Sequence, residues 1–103
     1  NSVDYPDYAK KLAKRVKLGK SGVGILVCGS GSGMAISANK FKTIRAAVCY
    51  NLKSTRLSRQ HNNANIIAIG SRLIKKKLSI KLVEIFLKTK FEGGRHLRRV
   101  KKI

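Results

Sequence analysis

With 103 residues, 43% of them hydrophobic, the chain is sized for a single domain spanning 1–103 with a modest core. No run approaches the roughly 18 apolar residues of a membrane span, and residues 1–20 hold no secretory hydrophobic segment, so a soluble chain of the cytoplasm or an organelle matrix is expected. Twenty-four Lys and Arg against four Asp and Glu give a net charge of +20, more than a small anionic ligand requires, which keeps RNA or a ribonucleoprotein assembly open as a partner.

Along the chain, Asp4-Tyr-Pro-Asp7 opens a first helix, with Ala9, Leu12, Ala13 and Val16 at helical spacing and Gly19 and Gly22 ending it. Ile25, Leu26 and Val27 form a short apolar run suited to a buried parallel strand, which ends at Cys28 and turns into the loop Gly29-Ser-Gly-Ser-Gly33. A helix from Ser32 to about Asn39 follows. A second strand spans Ile44 to Cys49, a helix Lys53 to Gln60, and a third strand Ile66 to Gly70. Ser79 to Lys88 reads as a helix with a broad apolar face, and Gly93-Gly94 breaks the chain before a last basic helix.

Strands alternating with helices predict a parallel sheet covered on both faces, with ligands outside the C-terminal strand ends. Cys28 and the glycine loop occupy such an end. Gly29, Gly31 and Gly33 allow tight turning and close ligand approach, and unpaired N–H groups at a helix start favour an anion. The spacing is not the dinucleotide fingerprint, since no Asp or Glu occurs from Val48 to Asn65, and no Lys-Ser or Lys-Thr follows the last glycine as in a Walker loop. A thiol beside a helix start can serve as base or nucleophile; on this segment alone a packed strand-end cysteine is the alternative. Cys49, inside a strand, reads as packing, as does Met34. Neither cysteine has metal-ligand spacing to His61 or His96, and no metal site or cofactor is expected. The basic residues are scattered over every segment, and three Tyr and three Phe offer little for base stacking.

Taken together, Val3-Asp-Tyr-Pro-Asp-Tyr-Ala9, Gly24-Ile-Leu-Val-Cys-Gly-Ser-Gly-Ser-Gly-Met34, Ala38-Asn-Lys40, Ile44-Arg-Ala-Ala-Val-Cys49, Ser58-Arg-Gln-His-Asn62 and Phe91-Glu-Gly-Gly-Arg-His96 resemble the type B ribose-5-phosphate isomerases and the related galactose-6-phosphate isomerases. The resemblance runs from about Ser2 to Ile103. It implies a Rossmann-like three-layer α/β/α sandwich and cofactor-free interconversion of ribose 5-phosphate and ribulose 5-phosphate through an enediolate. Cys28 matches the residue that moves the proton, and Ser30, where Thr is common, keeps a hydroxyl. Gly29, Gly31, Ser32 and Gly33 would supply oxyanion donors. His61 matches the residue implicated in ring opening and Asn62 a substrate contact. Arg95 and Arg99, four apart, match a phosphate-binding pair, with Arg72 a third candidate. His96 carries no assigned role.

The family is typically dimeric or tetrameric, so a homodimer or homotetramer is implied, with His61 and its neighbours completing a partner's site. Its usual opening strand, Gly-x-Asp-His-x-Gly motif, helix and second strand have no counterpart here. The implied fold is therefore N-terminally incomplete, with a strand edge left exposed. Asn63 replaces an Asp usual after the His-Asn pair. A catalytically inactive basic module on RNA is the alternative function.

Overall fold

The computed structural model describes residues 5–17 and 22–103. Asp4 and Gly19, expected to bound the first helix, lie outside them. The elements run α1 (Tyr5–Lys17), β1 (Gly24–Cys28), α2 (Ser32–Ala38), β2 (Ala46–Val48), α3 (Leu52–Gln60), β3 (Ile66–Gly70), α4 (Lys76–Lys88) and α5 (Arg95–Lys101).

The sheet is built on β3, the segment Ile66-Ile-Ala-Ile-Gly70, all five residues of which are buried. An unbroken apolar run cannot present a wet face, so it takes the central place, with β1 on one side and β2 on the other in the order β1-β3-β2. Both pairings are parallel, Gly24 opposite Ile66 through Cys28 opposite Gly70, and Ala46 opposite Ile66 through Val48 opposite Ala68. Alternation along the strands then divides the core. Leu26, Ile66 and Ala68 meet Ala9, Ala13 and Val16 of α1 and Met34, Ala35 and Ala38 of α2. Ile67 and Ile69 face the other way, onto Leu82 and Phe86 of α4. This is the expected three-layer arrangement, and Met34 is core as its position suggested. Among the described residues β1 pairs with β3 alone.

Three boundaries differ from the sequence pattern. The second strand is shorter than Ile44–Cys49 because asparagine side chains take over its hydrogen bonds: Arg45 N–H donates to Asn65 Oδ1 (2.7 Å) and Ala46 N–H to Asn39 Oδ1 (2.7 Å), beside Thr43 at φ 74°. α3 starts at Leu52 because Asn51 caps it, its Oδ1 accepting from Ser54 N–H at 2.7 Å while Ser54 Oγ accepts from Asn51 N–H at 3.3 Å. α4 begins three residues before Ser79, at Lys76, where a lysine run carries no apolar periodicity to announce it. No helix among the described residues is long and apolar enough to cross a membrane.

Among the described residues Phe86 is the largest fully buried side chain, so Phe86→Ala is expected to cost about 3–5 kcal/mol. Exposed Leu87→Ala, next to it on α4, should stay within about 0.5 kcal/mol. Urea midpoints at unchanged slope measure both.

Candidate functional site

At the C-terminal end of β1 the backbone reverses at Gly31, whose φ of 84° lies in the left-handed region that favours glycine. The turn aims Gly31 N–H at the Cys28 sulfur, 3.0 Å away. The end of β3 fastens the loop from below: Ser71 N–H donates to the Cys28 carbonyl (2.7 Å) and Arg72 N–H to the Gly29 carbonyl (3.0 Å). Gly70 permits this approach, since a Cβ there would stand 2.6 Å from the Ser30 carbonyl oxygen. Cys28, Gly29, Ser30, Gly33, Arg72 and Leu73 together line an open cleft of about 350 Å³. Half-buried Cys28 is the nucleophilic group there, while Arg72 and the loop amides supply positive potential. Ser32 lies exposed at the start of α2.

Cys49, by contrast, is buried, and burial pushes its thiol up despite opposing hydrogen bonds from Thr55 and Ser58. Packing is its role, as the sequence suggests.

The second group of predicted residues gathers elsewhere. His61 caps the C-terminal end of α3, its N–H donating to the Leu57 carbonyl at 2.9 Å. Its ring stacks on His96 of α5, with centroids 4.1 Å apart and planes within 12°. Glu92 reaches both, Oε1 lying 3.8 Å from His61 Nε2 and 3.6 Å from His96 Nε2, and its own N–H donates to the Gln60 carbonyl. Arg95 and Arg99 project from the same short helix, and Asn62 follows His61 on the surface. Asn63 adopts φ 48°, which Asn tolerates. It anchors the turn by accepting from Arg59 Nη1 at its side chain (3.0 Å) and from Arg45 Nε at its carbonyl (2.8 Å).

His96 and Glu92 are the members that the sequence missed. His96, given no role, is buried at 8% exposure against His61. Its one sequence signal was the four-residue spacing to Glu92 across a Gly-Gly break, where helical spacing carries no weight. The ligand atoms of His61, Glu92 and His96 lie within 4.8 Å of one another, a metal-like gathering that no sequence spacing revealed, since three segments contribute. They suit a metal poorly: nearly parallel rings direct their in-plane lone pairs side by side rather than to one point, and Arg95 and Arg99 stand next to them. Glu92 stands as the acidic partner of both imidazoles.

Topology separates the two groups. α3 carries the chain from the C-terminal end of β2 back to the start of β3, so His61 lies at the N-terminal end of the sheet and Cys28 at the other. A five-residue strand spans about 16 Å. The described residues therefore hold two separate groups at opposite ends of the sheet, a thiol cleft and a histidine-arginine cluster.

The fold defines a class, the α/β proteins with a parallel sheet packed between helices. The family follows from comparison. The ribose/galactose isomerase family model matches residues 1–103, and the chain belongs to that family. It is 48% identical over 100 residues to ribose-5-phosphate isomerase B of Escherichia coli, covering 97% of this chain and 67% of that one. Among solved structures, ribose-5-phosphate isomerase B of Clostridium thermocellum superposes with a TM-score of 0.98 at 50% identity, over 99% of this chain and 69% of that one. The Mycoplasma genitalium enzyme, solved with bound ribulose 5-phosphate, superposes at 0.94 with 45% identity, over 98% of this chain and 67% of that one. The chain thus spans about two thirds of the length of these relatives.

Burial, first, and then the neighbouring His61, Arg95 and Arg99 hold His96 below the ordinary histidine range, with Glu92 opposing. A depressed histidine keeps its folded form neutral while the unfolded chain takes up a proton near 6.5. The stabilisation is therefore complete above that value and is lost as pH falls through it towards the folded value. The thermal midpoint should drop between pH 7.5 and 5, and His96→Phe, which keeps a ring against His61, should flatten that part of the profile.

Proposed function

We propose that the chain is an aldose-ketose isomerase interconverting ribose 5-phosphate and ribulose 5-phosphate, with Cys28 as the proton carrier. The observation that carries this reading is the sulfur held by Gly31 N–H at the wall of a cleft that also offers Ser30, loop amides and Arg72. The bound ribulose 5-phosphate of the Mycoplasma genitalium relative supports the choice of a pentose phosphate.

In the forward direction His61 moves the proton between the ring oxygen and the C1 hydroxyl, opening the sugar to its aldehyde. Cys28, as thiolate, takes the proton from C2. The C–H electron pair forms the C1–C2 double bond and the carbonyl pair moves onto O1, giving an enediolate. Loop amides of Gly29 to Gly33 and the Ser30 hydroxyl face that developing charge, where each donor contributes a few kcal/mol. The thiol then returns its proton to C1, O2 gives up its proton and becomes the ketone oxygen, and O1 ends protonated. No net oxidation occurs and no cofactor is consumed.

The phosphate falls to Arg95 and Arg99, one helical turn apart, with Asn62 at the sugar hydroxyls. Because these residues share the His61 end of the sheet, a working site takes Cys28 and its loop from one copy and the His61 cluster from a second. The protein is accordingly a homodimer, or a homotetramer of two such dimers, with two sites per pair.

Turnover of ribose 5-phosphate, followed as ribulose 5-phosphate, tests the reading. Cys28→Ala should lower kcat by about 10²–10⁴-fold without changing the fold. Arg99→Gln should raise KM by about tenfold or more for the phosphorylated sugar, the worth of a charge-assisted hydrogen bond. A folded chain that turns over no pentose phosphate, or a Cys28→Ala variant as fast as the parent, contradicts it.

A further inference from the structure

The histidine cluster draws on two segments remote in sequence, the end of α3 at His61 and the stretch after α4 that carries Glu92, Arg95 and His96. Arg59, in the last turn of α3, lies where the two meet. Its Nε donates to the Thr89 carbonyl at 3.0 Å, just past the end of α4, and its Nη1 to Asn63 Oδ1 at 3.0 Å and to the Ala64 carbonyl. The guanidinium also stands over the Phe86 ring, 5.6 Å from its centroid. One planar fork thus ties the end of α4 to the turn that follows His61 and Asn62.

This half-buried cation has no acidic partner among the described residues. Burial, and then the neighbouring Arg45, pull its pKa down. What favours it instead is the carbonyl ends of two helices, since α3 and α4 both finish beside it and a helix C-terminus attracts positive charge. A lysine would answer the charge but not three acceptors at once, because only a guanidinium presents several N–H groups in a fixed plane. The next residue adds a second tie, the Gln60 carbonyl accepting from Glu92 N–H at 3.1 Å. Residues 59 and 60 therefore set where the chain arrives at 89–92, and so where Glu92 and His96 stand against the His61 ring.

We propose that Arg59 is a positioning residue for the ring-opening step, holding the His61 imidazole against Glu92 and His96 without touching the substrate. Its effect on turnover rests on the isomerase reading, whereas its hold on the stacked pair does not.

Proton NMR of the imidazole C–H signals, beside kcat for ribose 5-phosphate, tests this in Arg59→Met, which keeps a side chain over Phe86 and removes every donor. In the parent chain the stacked rings should shield each other and shift the His61 and His96 signals upfield. In Arg59→Met that shift should collapse and kcat should fall about 10–10²-fold, the effect of a displacement of about one ångström. Circular dichroism should stay unchanged, as should the rate at which iodoacetamide alkylates Cys28 at the other end of the sheet. Arg59→Lys, which keeps the charge and the stem but not the fork, should lose part of both the shift and the rate. An unshielded pair in the parent, shielding that persists in Arg59→Met, shielding lost with kcat unchanged, a parallel change at Cys28, or failure of both variants to fold each overturns the proposal. Should the parent turn over no ribose 5-phosphate, collapse of the shielding in Arg59→Met would still assign Arg59 its hold on the pair, and the isomerase reading alone would fail.

Discussion

The polarity of the parallel sheet is the constraint on which the rest depends. β3 is apolar at every position and so must be central. Once it is central and parallel to both neighbours, each crossover returns the chain across the length of the sheet. The residue that closes β1 and the residue that closes α3 are thereby sent to opposite ends. In the proposed reaction Cys28 carries the proton and His61 opens the ring, yet the fold that specifies both keeps them apart. On the proposed reading, a second copy supplies the other half of the site.

Each half-site is rigid for its own reasons. The thiol loop is pinned by backbone bonds from Ser71 and Arg72 and by the close approach of Gly70 to Ser30. The histidine cluster is pinned by the α3 cap, the Glu92–Gln60 backbone bond and ring stacking. Arg72, Arg95 and Arg99 reach outward from these frames. A site assembled from two such pieces would need only correct docking of the copies, and little rearrangement on binding. The net charge of +20 exceeds what these arginines require, and nothing in the half-sites accounts for it.

Much of this was legible in the sequence where one residue type has one physical use. The run Ile66 to Gly70 could only be a buried strand, the spacing of Ala9, Leu12, Ala13 and Val16 could only be a helix face, and the glycines after Cys28 required a tight turn. Legibility failed where long-range hydrogen bonds decide. Asn39 and Asn65 trim β2 through partners 7 and 20 residues away. It failed again at His96 and Glu92, whose meaning depends on the His61 ring, 35 and 31 positions earlier. The lysine run before Ser79 was silent because a solvated helix turn has no apolar signature. The resemblance already assigned Cys28 and His61 to different copies, and the strand order shows why one copy holds them apart.

The most direct test is to mix Cys28→Ala and His61→Ala chains, each folded and inactive alone, in equal amounts after reversible dissociation. Exchange between two-fold pairs leaves half of them mixed, each carrying one intact site built from the two unmutated halves. The account predicts recovery of about a quarter of the parent rate of ribose 5-phosphate turnover. No recovery from chains that demonstrably exchange would mean that both groups act within a single copy, and would contradict the division of the site that the sheet imposes.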